Sequence, residues 1–265
     1  GRELILADGT RLTASLVAGA DGAHSSSRQL AGFAGRAWDY PHHAIVTRVQ
    51  LDQPHQDTAW QCFTATGVLA FLPLPSVAGK HYCSIVWSVP PAQAKALMVL
   101  DHMNFCQTLG QAFEHRLGAV LHAGPRLCTP LRQYHAKQYA RPAMVLVGDA
   151  AHTIHPLAGQ GVNLGLLDVA TLTEVLDHAR KRATDFADLV ILKRYQRRRQ
   201  RDNLQLMALM EVFVRLYGTQ NVWLTWWRNM GMGALQQLPV VKCDLMQRAM
   251  GLGSNLPPLA QSPIG

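Results

Sequence analysis

The most constraining feature of this chain is a short apolar run that leads through a Gly-Asp pair into a glycine-rich turn. Residues 144–147 read Met-Val-Leu-Val and are followed by Gly148 and Asp149. A wholly apolar run of this length predicts a strand buried on both faces of a parallel sheet. Beyond Gly161, apolar residues recur at helical spacing, so the turn feeds the amino terminus of a helix. The segment therefore predicts an α/β fold with a ligand site where strand end and helix start meet.

Strand patterns fill the first third of the chain. Residues 3–6 and 11–18 are expected to pair about a tight Asp-Gly turn. Between residues 38 and 88, further strand patterns separated by Pro and Gly indicate a largely antiparallel sheet. The clearest of these are residues 44–49, 68–72 and 82–87.

Helical spacing of apolar residues appears in four later segments. Residues 101–117 begin with Asp101, whose carboxylate can cap a first helical turn. Residues 189–216 and 222–238 predict two further helices. The helix that starts at Gly161 is expected to bury one apolar stripe. That stripe comprises Val162, Leu166, Val169, Leu172 and Leu176.

Composition narrows the class of protein. Of the 265 residues, 48% are apolar and 16% are charged, which is typical of a folded enzyme with one or two domains. No apolar run approaches the roughly 18 residues of a membrane span, and the start lacks a signal-peptide pattern, so the cytoplasm is the expected compartment. The cysteines are odd in number and scattered, which favours reduced, mostly packed thiols. They are Cys62, Cys83, Cys106, Cys128 and Cys243.

A second motif occupies residues 16–28, which read LVAGADGAHSSSR. Taken alone, it predicts a strand, an Asp-Gly turn and a Ser-capped helix start, which many α/β proteins contain. Both motifs together resemble the signatures of the FAD-dependent aromatic hydroxylases. Residues 148–168 agree with GDAAHxxxPxxGQGxNxGxxD at every fixed position, and residues 19–28 agree with GADGxxSxxR.

The resemblance implies a fold of the para-hydroxybenzoate hydroxylase type. It predicts an α/β, Rossmann-like FAD-binding domain, here incomplete, with an inserted mixed β-sheet substrate domain and a helical carboxyl-terminal tail. The FAD-binding domain would comprise residues 1–37 and 125–180, the substrate domain residues 38–124, and the tail residues 181–265.

The resemblance also implies roles for residues of both motifs. Asp149 would hold the ribityl chain of FAD, Pro156 would lie against the flavin ring, and the backbone of residues 159–162 would face its pyrimidine edge. Asp21 and Arg28 would lie along the pyrophosphate and the path of the reduced nicotinamide. No catalytic side chain is identified. The expected cofactor-binding residues are Asp21, Arg28, Gly148, Asp149, Pro156, Gly159, Gln160, Gly161, Val162 and Asn163.

One element of the family pattern does not occur in these residues. The hydroxylases begin with a strand, a GxGxxG turn and a helix that bind the ADP half of FAD, and no GxGxxG is present here. The chain is therefore expected to correspond to the carboxyl-terminal two-thirds of such a protein. Alone, it is expected to bind FAD weakly and to self-associate through open strand edges at residues 11–18 and 144–147.

Within the family, the chain is most similar to the ubiquinone-biosynthesis hydroxylases. This resemblance implies an FAD-dependent monooxygenase that takes electrons from NAD(P)H and hydroxylates a hydrophobic aromatic molecule, a polyprenylated phenol or quinol. A ubiquinone-biosynthesis complex is an expected partner. The matching segments are residues 67–74, 155–165, 192–195, 201–203 and 249–252.

Several alternatives stay open beside this interpretation. Asp149, His152 and His155 are spaced by three and could hold a metal ion, but the surrounding glycines and the buried strand favour flavin, so no metal is expected. His152 is expected to be a packed or hydrogen-bonded part of its loop. A flavoenzyme of different chemistry, such as an epoxidase or a reductase, and a non-catalytic interaction module are the rival functions.

Two surface features complete the sequence. The basic stretch at residues 193–201 could contact nucleic acid, but a solvated helix face explains it better, and no nucleic-acid partner is expected. Trp223, Trp226 and Trp227 could meet a membrane surface, or could dock a terminal helix on its own core.

Overall fold

In the computed structural model, the chain forms two compact units. The first unit comprises Gly1–Trp38 and Gln133–Gly265, and the second comprises Asp39–Arg132. Both mix strands with helices, so the predicted α/β class is confirmed. The structure describes residues 2–64, 66–154, 161–218 and 256–261.

The regular elements are numbered in chain order. The strands are β1 (Arg2–Ile5), β2 (Arg11–Ala14), β3 (Val17–Gly19), β4 (Gly35–Leu51), β5 (Trp60–Thr64), β6 (Gly67–Val77), β7 (Lys80–Val89), β8 (Val120–Ala123), β9 (Leu127–Ala136), β10 (Ala140–Arg141), β11 (Met144–Leu146) and β12 (His152–Thr153). The α-helices are α1 (Ser26–Leu30), α2 (Pro91–Val99), α3 (His102–Ala112), α4 (Gly161–Lys181) and α5 (Leu189–Gly218).

The second unit is built on an antiparallel sheet, as its strand patterns predict. β7 lies between β4 and β6, β6 also pairs with β5, and β4 pairs with β8. Alternate side chains of these strands point to one buried face, where Ile45, Phe71 and Ile85 are almost fully buried. Leu97 of α2 and Phe105 of α3 belong to the same apolar cluster, so both helices cover that face.

The helix predicted after Asp101 is present but shorter than expected. The Asp101 carboxylate accepts a hydrogen bond from the Asn104 amide at 2.9 Å and caps α3 as predicted. The helix ends at Ala112 because Glu114 and His115 adopt positive φ angles of 55° and 52°, which a right-handed helix does not allow.

The first unit contains the parallel strand pair that the apolar run predicts. β11 pairs with β3 in parallel register, with Met144 opposite Val17 and Leu146 opposite Gly19. The expected single strand at residues 11–18 is instead two strands, since β2 pairs with β1 in a hairpin. β11 also pairs with β10 on its other side, so the expectation of an open strand edge at residues 144–147 was wrong.

α4 buries only the last part of the predicted apolar stripe, where Leu172 is buried and Leu176 packs against the same core. Val162 and Leu166 are 73% and 63% exposed. Leu164 and Asp168, which were not part of the stripe, are buried in their place. The prediction failed at Val162 and Leu166 because it counted apolar residues only, whereas the buried face of α4 carries the hydrogen-bonded carboxylate of Asp168.

α5 covers the helix predicted at residues 189–216 and ends at Gly218. In the described ranges, no helix is long and apolar enough to span a bilayer. Cys243, Trp223, Trp226, Trp227 and the helix predicted at residues 222–238 lie outside the described residues.

Candidate functional site

The two sequence motifs meet at one edge of the parallel sheet. β3 and β11 are neighbours, and the Val147 amide donates to the Gly19 carbonyl at 3.0 Å just beyond the pair. Asp21 and Asp149 follow the carboxyl ends of these two strands. Because ligands of open α/β sheets bind outside the carboxyl ends of parallel strands, this edge is the candidate site.

Asp21 is held within its own loop. Its carboxylate accepts hydrogen bonds from the Ser25 hydroxyl, from the Ser27 amide at 2.8 Å and from the Ser27 hydroxyl at 2.7 Å. Partial burial alone would raise the pKa of Asp21, but these hydrogen bonds outweigh it and lower the pKa to about 2. Asp21 is therefore ionised at neutral pH, and it fixes the turn that leads into α1.

Arg28 joins the second motif to the first. It is 7% exposed, and its guanidinium donates to the carbonyl of Ala150 at 2.9 Å and to that of Ala23 at 2.8 Å. The guanidinium also lies 4.0 Å from the centre of the Tyr134 ring, at cation–π distance. These contacts hold the turn after β11 against the loop after β3.

Two glycines let α4 approach the turn after β11. Gly148 has a φ of +59°, a conformation that side-chain-bearing residues rarely adopt. A Cβ atom placed on Gly165 would lie only 3.3 Å from the Gly148 Cα. Glycine at both positions therefore lets the backbones of the turn and the helix pack directly together.

The carboxylate of Asp168, in α4, is the centre of a buried hydrogen-bond network. It is fully buried, and its Oδ2 atom accepts hydrogen bonds from the Gly148 amide at 3.0 Å and from His152 Nε2 at 2.6 Å. Its Oδ1 atom accepts a hydrogen bond from Arg199 Nε at 2.7 Å. Burial opposes ionisation, but His152 and Arg199 outweigh it and lower the pKa of Asp168.

The network continues from Asp168 through α5 to β9. Arg199 donates to the Asn203 side-chain oxygen at 2.9 Å, and the Asn203 amide lies 3.3 Å from the Tyr139 oxygen. The Tyr139 hydroxyl then donates to His135 Nε2, which is 3.1 Å away. Burial, with the nearby His152, lowers the pKa of His135 to about 4. His135 is therefore neutral at neutral pH, and its Nε2 atom can accept the hydrogen bond from Tyr139.

The basic stretch on α5 is not the uniformly solvated face that its sequence suggested. Arg199 is 4% exposed and binds Asp168, while Arg198 donates to Glu174 at 2.9 Å. Tyr195 is also buried, and its hydroxyl donates to the Leu146 carbonyl at 2.7 Å. The sequence signal was the final aspartate of the first motif, because a buried carboxylate requires a cation or several donors.

The prediction for His152 is confirmed. Its side chain is 1% exposed, and Nε2 is hydrogen-bonded to Asp168. Among the residues that the structure describes, no group of three His, Cys, Asp or Glu side chains could hold a metal ion. His155, the third member of the metal alternative, lies outside the described residues, as do Pro156, Gly159 and Gln160 of the expected flavin set.

The carboxylate of Asp149 differs from those of Asp21 and Asp168 in its hydrogen bonding, although Asp149, like Asp21, is exposed. No described side chain donates a hydrogen bond to it. A Cβ atom placed on Gly161, the first residue of α4, would lie 3.9 Å from Asp149 Oδ1. The Asp149 carboxylate, with no described side-chain donor, thus lies beside the first turn of α4, where Val162 and Asn163 are also exposed.

This combination fits a flavin. The carboxylate can accept hydrogen bonds from a hydroxyl-bearing chain, and the first amides of a helix favour a negatively charged group. Comparison with known families gives the decisive observation: residues 5–208 match the sequence model described as FAD binding domain. The chain belongs to the FAD binding domain family.

Relatives of this chain within the FAD binding domain family include hydroxylases named for ubiquinone biosynthesis. It is 41% identical to the 3-demethoxyubiquinol 3-hydroxylase of Escherichia coli K12, over 95% of this chain and 63% of that protein. It is 36% identical to the ubiquinone biosynthesis monooxygenase COQ6 of Xenopus tropicalis, over 92% of this chain and 59% of that protein. The chain thus spans about 60% of the length of these two relatives.

A solved structure shows the same fold. The p-nitrophenol 4-monooxygenase PnpA of Pseudomonas putida DLL-E4 superposes with a TM-score of 0.71 at 20% identity, over 96% of this chain and 64% of that one. This likeness confirms the fold of an FAD-dependent aromatic monooxygenase for the FAD binding domain chain.

Replacing Arg199 should strongly destabilise the first unit. Arg199→Met leaves the buried Asp168 carboxylate without its cation, so the free energy of unfolding should fall by about 3–5 kcal/mol. Chemical denaturation measures this loss. Arg197→Met, which changes an exposed arginine of the same helix, should change the unfolding free energy by less than about 0.5 kcal/mol.

A double variant separates charge from packing. Asp168→Asn combined with Arg199→Met removes both buried charges, so it should recover part of the stability that Arg199→Met loses. A loss below about 1 kcal/mol for Arg199→Met would contradict a buried ion pair at this position.

His135 should make stability depend on pH. Its pKa is about 4 in the folded chain against 6.5 for the free side chain, so between these values the unfolded chain binds a proton that the folded chain does not. The free energy of unfolding should therefore fall as the pH is lowered from 6.5 towards 4, by about 2–3 kcal/mol at pH 4.5.

The matched variants for this pH dependence are His135→Gln and His24→Gln. Denaturation at several pH values should show that His135→Gln lacks most of the decrease. His24→Gln, at an exposed histidine, should keep it. Equal pH dependence in all three proteins would show that His135 is not the residue responsible.

Proposed function

We propose that this chain supplies the ribityl and ring side of an FAD site in a monooxygenase that hydroxylates an aromatic ring. The observation that carries the proposal is the exposed carboxylate of Asp149 beside the start of α4, to which no described side chain donates a hydrogen bond. FAD, when bound, supplies the redox chemistry, and NAD(P)H is the proposed electron donor.

The proposed work of the chain is to bind and orient the cofactor. Asp149 accepts hydrogen bonds from the ribityl hydroxyls. Amides of Gly161, Val162 and Asn163 in the first turn of α4 face the negative charge that a reduced flavin ring carries. The motif residues Pro156, Gly159 and Gln160 complete the ring side in this proposal.

Asp21, Arg28 and Gly148 have positioning roles in the same proposal. Asp21 shapes the loop beside the pyrophosphate, and Arg28 holds that loop against the turn containing Ala150. Gly148 permits the close approach of α4. The first unit is thus the proposed FAD-binding domain, and the second unit is the proposed substrate domain.

The proposed substrate is a polyprenylated phenol or quinol on the route to ubiquinone. The names of the Escherichia coli and Xenopus relatives support this class of substrate. A complex with other enzymes of ubiquinone biosynthesis, in the cytoplasm or at a membrane, is part of the proposal.

Removing the Asp149 carboxylate should weaken flavin binding without unfolding the protein. Asp149→Ala eliminates charge-assisted hydrogen bonds worth about 1.5–3 kcal/mol each, so affinity should fall about 10-fold or more per lost bond. The flavin content of the purified whole protein measures this effect. Because the side chain is exposed, the denaturation midpoint of the flavin-free protein should change little.

Two control variants sharpen this measurement. Asp149→Asn keeps one acceptor oxygen and should retain more flavin than Asp149→Ala. Asp39→Ala removes an exposed surface carboxylate from the second unit and should retain all of it. Full flavin content in Asp149→Ala would contradict the proposed site.

A chimera tests the substrate. The stretch of the Escherichia coli hydroxylase that matches this chain over 253 residues is replaced by the chain, and the chimera is expressed in a strain that lacks the hydroxylase. Restored ubiquinone is the expected result. A folded, flavin-loaded chimera that restores no ubiquinone but hydroxylates small water-soluble phenols would contradict the proposed substrate.

Isotope labelling tests the reaction class. With labelled dioxygen, only an oxygenase transfers the label into the product, which separates a monooxygenase from a reductase. The identity of the labelled product then separates ring hydroxylation from epoxidation. A successful partner pull-down that is unaffected by Asp149→Ala, without any turnover, would favour the non-catalytic interaction module.

A further inference from the structure

We infer that the outward face of α5 is a docking surface for an anionic phospholipid bilayer. This basic face is defined by six side chains that lie on one side of the helix. They are Val190, Lys193, Arg194, Arg197, Arg201 and Leu204.

The helical spacing and the burial of α5 define the basic face independently. At 100° per residue, the six side chains fall within about 60° of one direction. The opposite side of α5 carries Leu192, Tyr195, Arg199 and Asn203, all buried in the first unit. The orientation of the helix is therefore fixed by its core side, and the basic face points to solvent.

The cations of the basic face have no carboxylate partners among the described residues. Arg198 and Arg199, which lie off this face, are paired with Glu174 and Asp168. The single acidic residue between positions 189 and 204 is Asp202, which is bonded to Arg199. Lys193, Arg194, Arg197 and Arg201 thus leave a concentrated, uncompensated positive charge on the surface.

Exposed apolar side chains at both ends of the basic face favour a bilayer over nucleic acid. Val190 is 63% exposed and Leu204 is 46% exposed, and they are separated by about 21 Å along the helix. A bilayer surface receives cations at its phosphates and apolar side chains at the acyl boundary. A nucleic-acid backbone presents phosphates but no apolar layer for Val190 and Leu204, and one face of a single helix contacts few of its phosphates.

Vesicle co-sedimentation of the purified protein tests the inference. The protein should bind vesicles of phosphatidylcholine mixed with phosphatidylglycerol, should bind pure phosphatidylcholine weakly, and should lose binding in high salt. The triple variant Arg194→Gln/Arg197→Gln/Arg201→Gln should reduce partition onto the mixed vesicles roughly 100-fold. Val190→Ser/Leu204→Ser should also weaken binding while keeping the preference for anionic lipid.

A charge-matched control removes three exposed cations elsewhere. Arg36→Gln/Lys80→Gln/Lys95→Gln has the same change in net charge and should keep full vesicle binding. Denaturation of each variant verifies that it is folded. Equal losses in both triple variants, or tighter binding of the basic face to duplex DNA or RNA than to anionic vesicles, would overturn the inference. Flavin content should be unchanged in the triple variants, so this outcome is independent of the proposed FAD site.

Discussion

The buried carboxylate of Asp168 is the interaction on which the order of the first unit depends. Taking an ionised carboxylate out of water costs several kcal/mol unless protein donors replace the lost water. These donors come from the turn after β11, from β12 and from α5, so the carboxylate has all of its hydrogen bonds only when these three segments are assembled. The donors are the Gly148 amide, His152 Nε2, Arg199 Nε and the Asn203 side-chain amide.

Three aspartates near the candidate site, Asp21, Asp149 and Asp168, differ in the hydrogen bonds that their carboxylates accept. The Asp168 carboxylate is hydrogen-bonded within the core of the first unit, and the Asp21 carboxylate is hydrogen-bonded within its own loop. Asp149 lies on a turn in which the preceding residue, Gly148, is bonded to Asp168 and the following residue, Ala150, is bonded to Arg28. A turn held in this way, with an acceptor to which no described side chain donates, suits a binding site, because little conformational entropy is lost when a ligand binds.

Local patterns were sufficient to predict much of this fold. The apolar run at residues 144–147, the antiparallel strands of the second unit and the extent of α5 follow from periodicity alone. The two motifs correctly predicted the family, and the structure places them after two neighbouring parallel strands. α2 was missed because its apolar residues form no single stripe and its N-cap, Pro90, has no side chain that can accept a capping hydrogen bond.

Long-range polar contacts explain what the sequence could not show. The apolar stripe through Val162 and Leu166 was assigned to the core, whereas hydrogen-bonded Asp168 takes that place. The sequence did not distinguish Arg199 from its exposed neighbours, because its partner, Asp168, lies 31 residues away in the chain.

A crystal structure with FAD tests this account of the site most directly. We expect the ribityl hydroxyls to contact Asp149 while Asp168 keeps its bonds to Gly148, His152 and Arg199. A ribityl chain bound away from Asp149, or an Asp168 side chain turned towards the ligand, would contradict it.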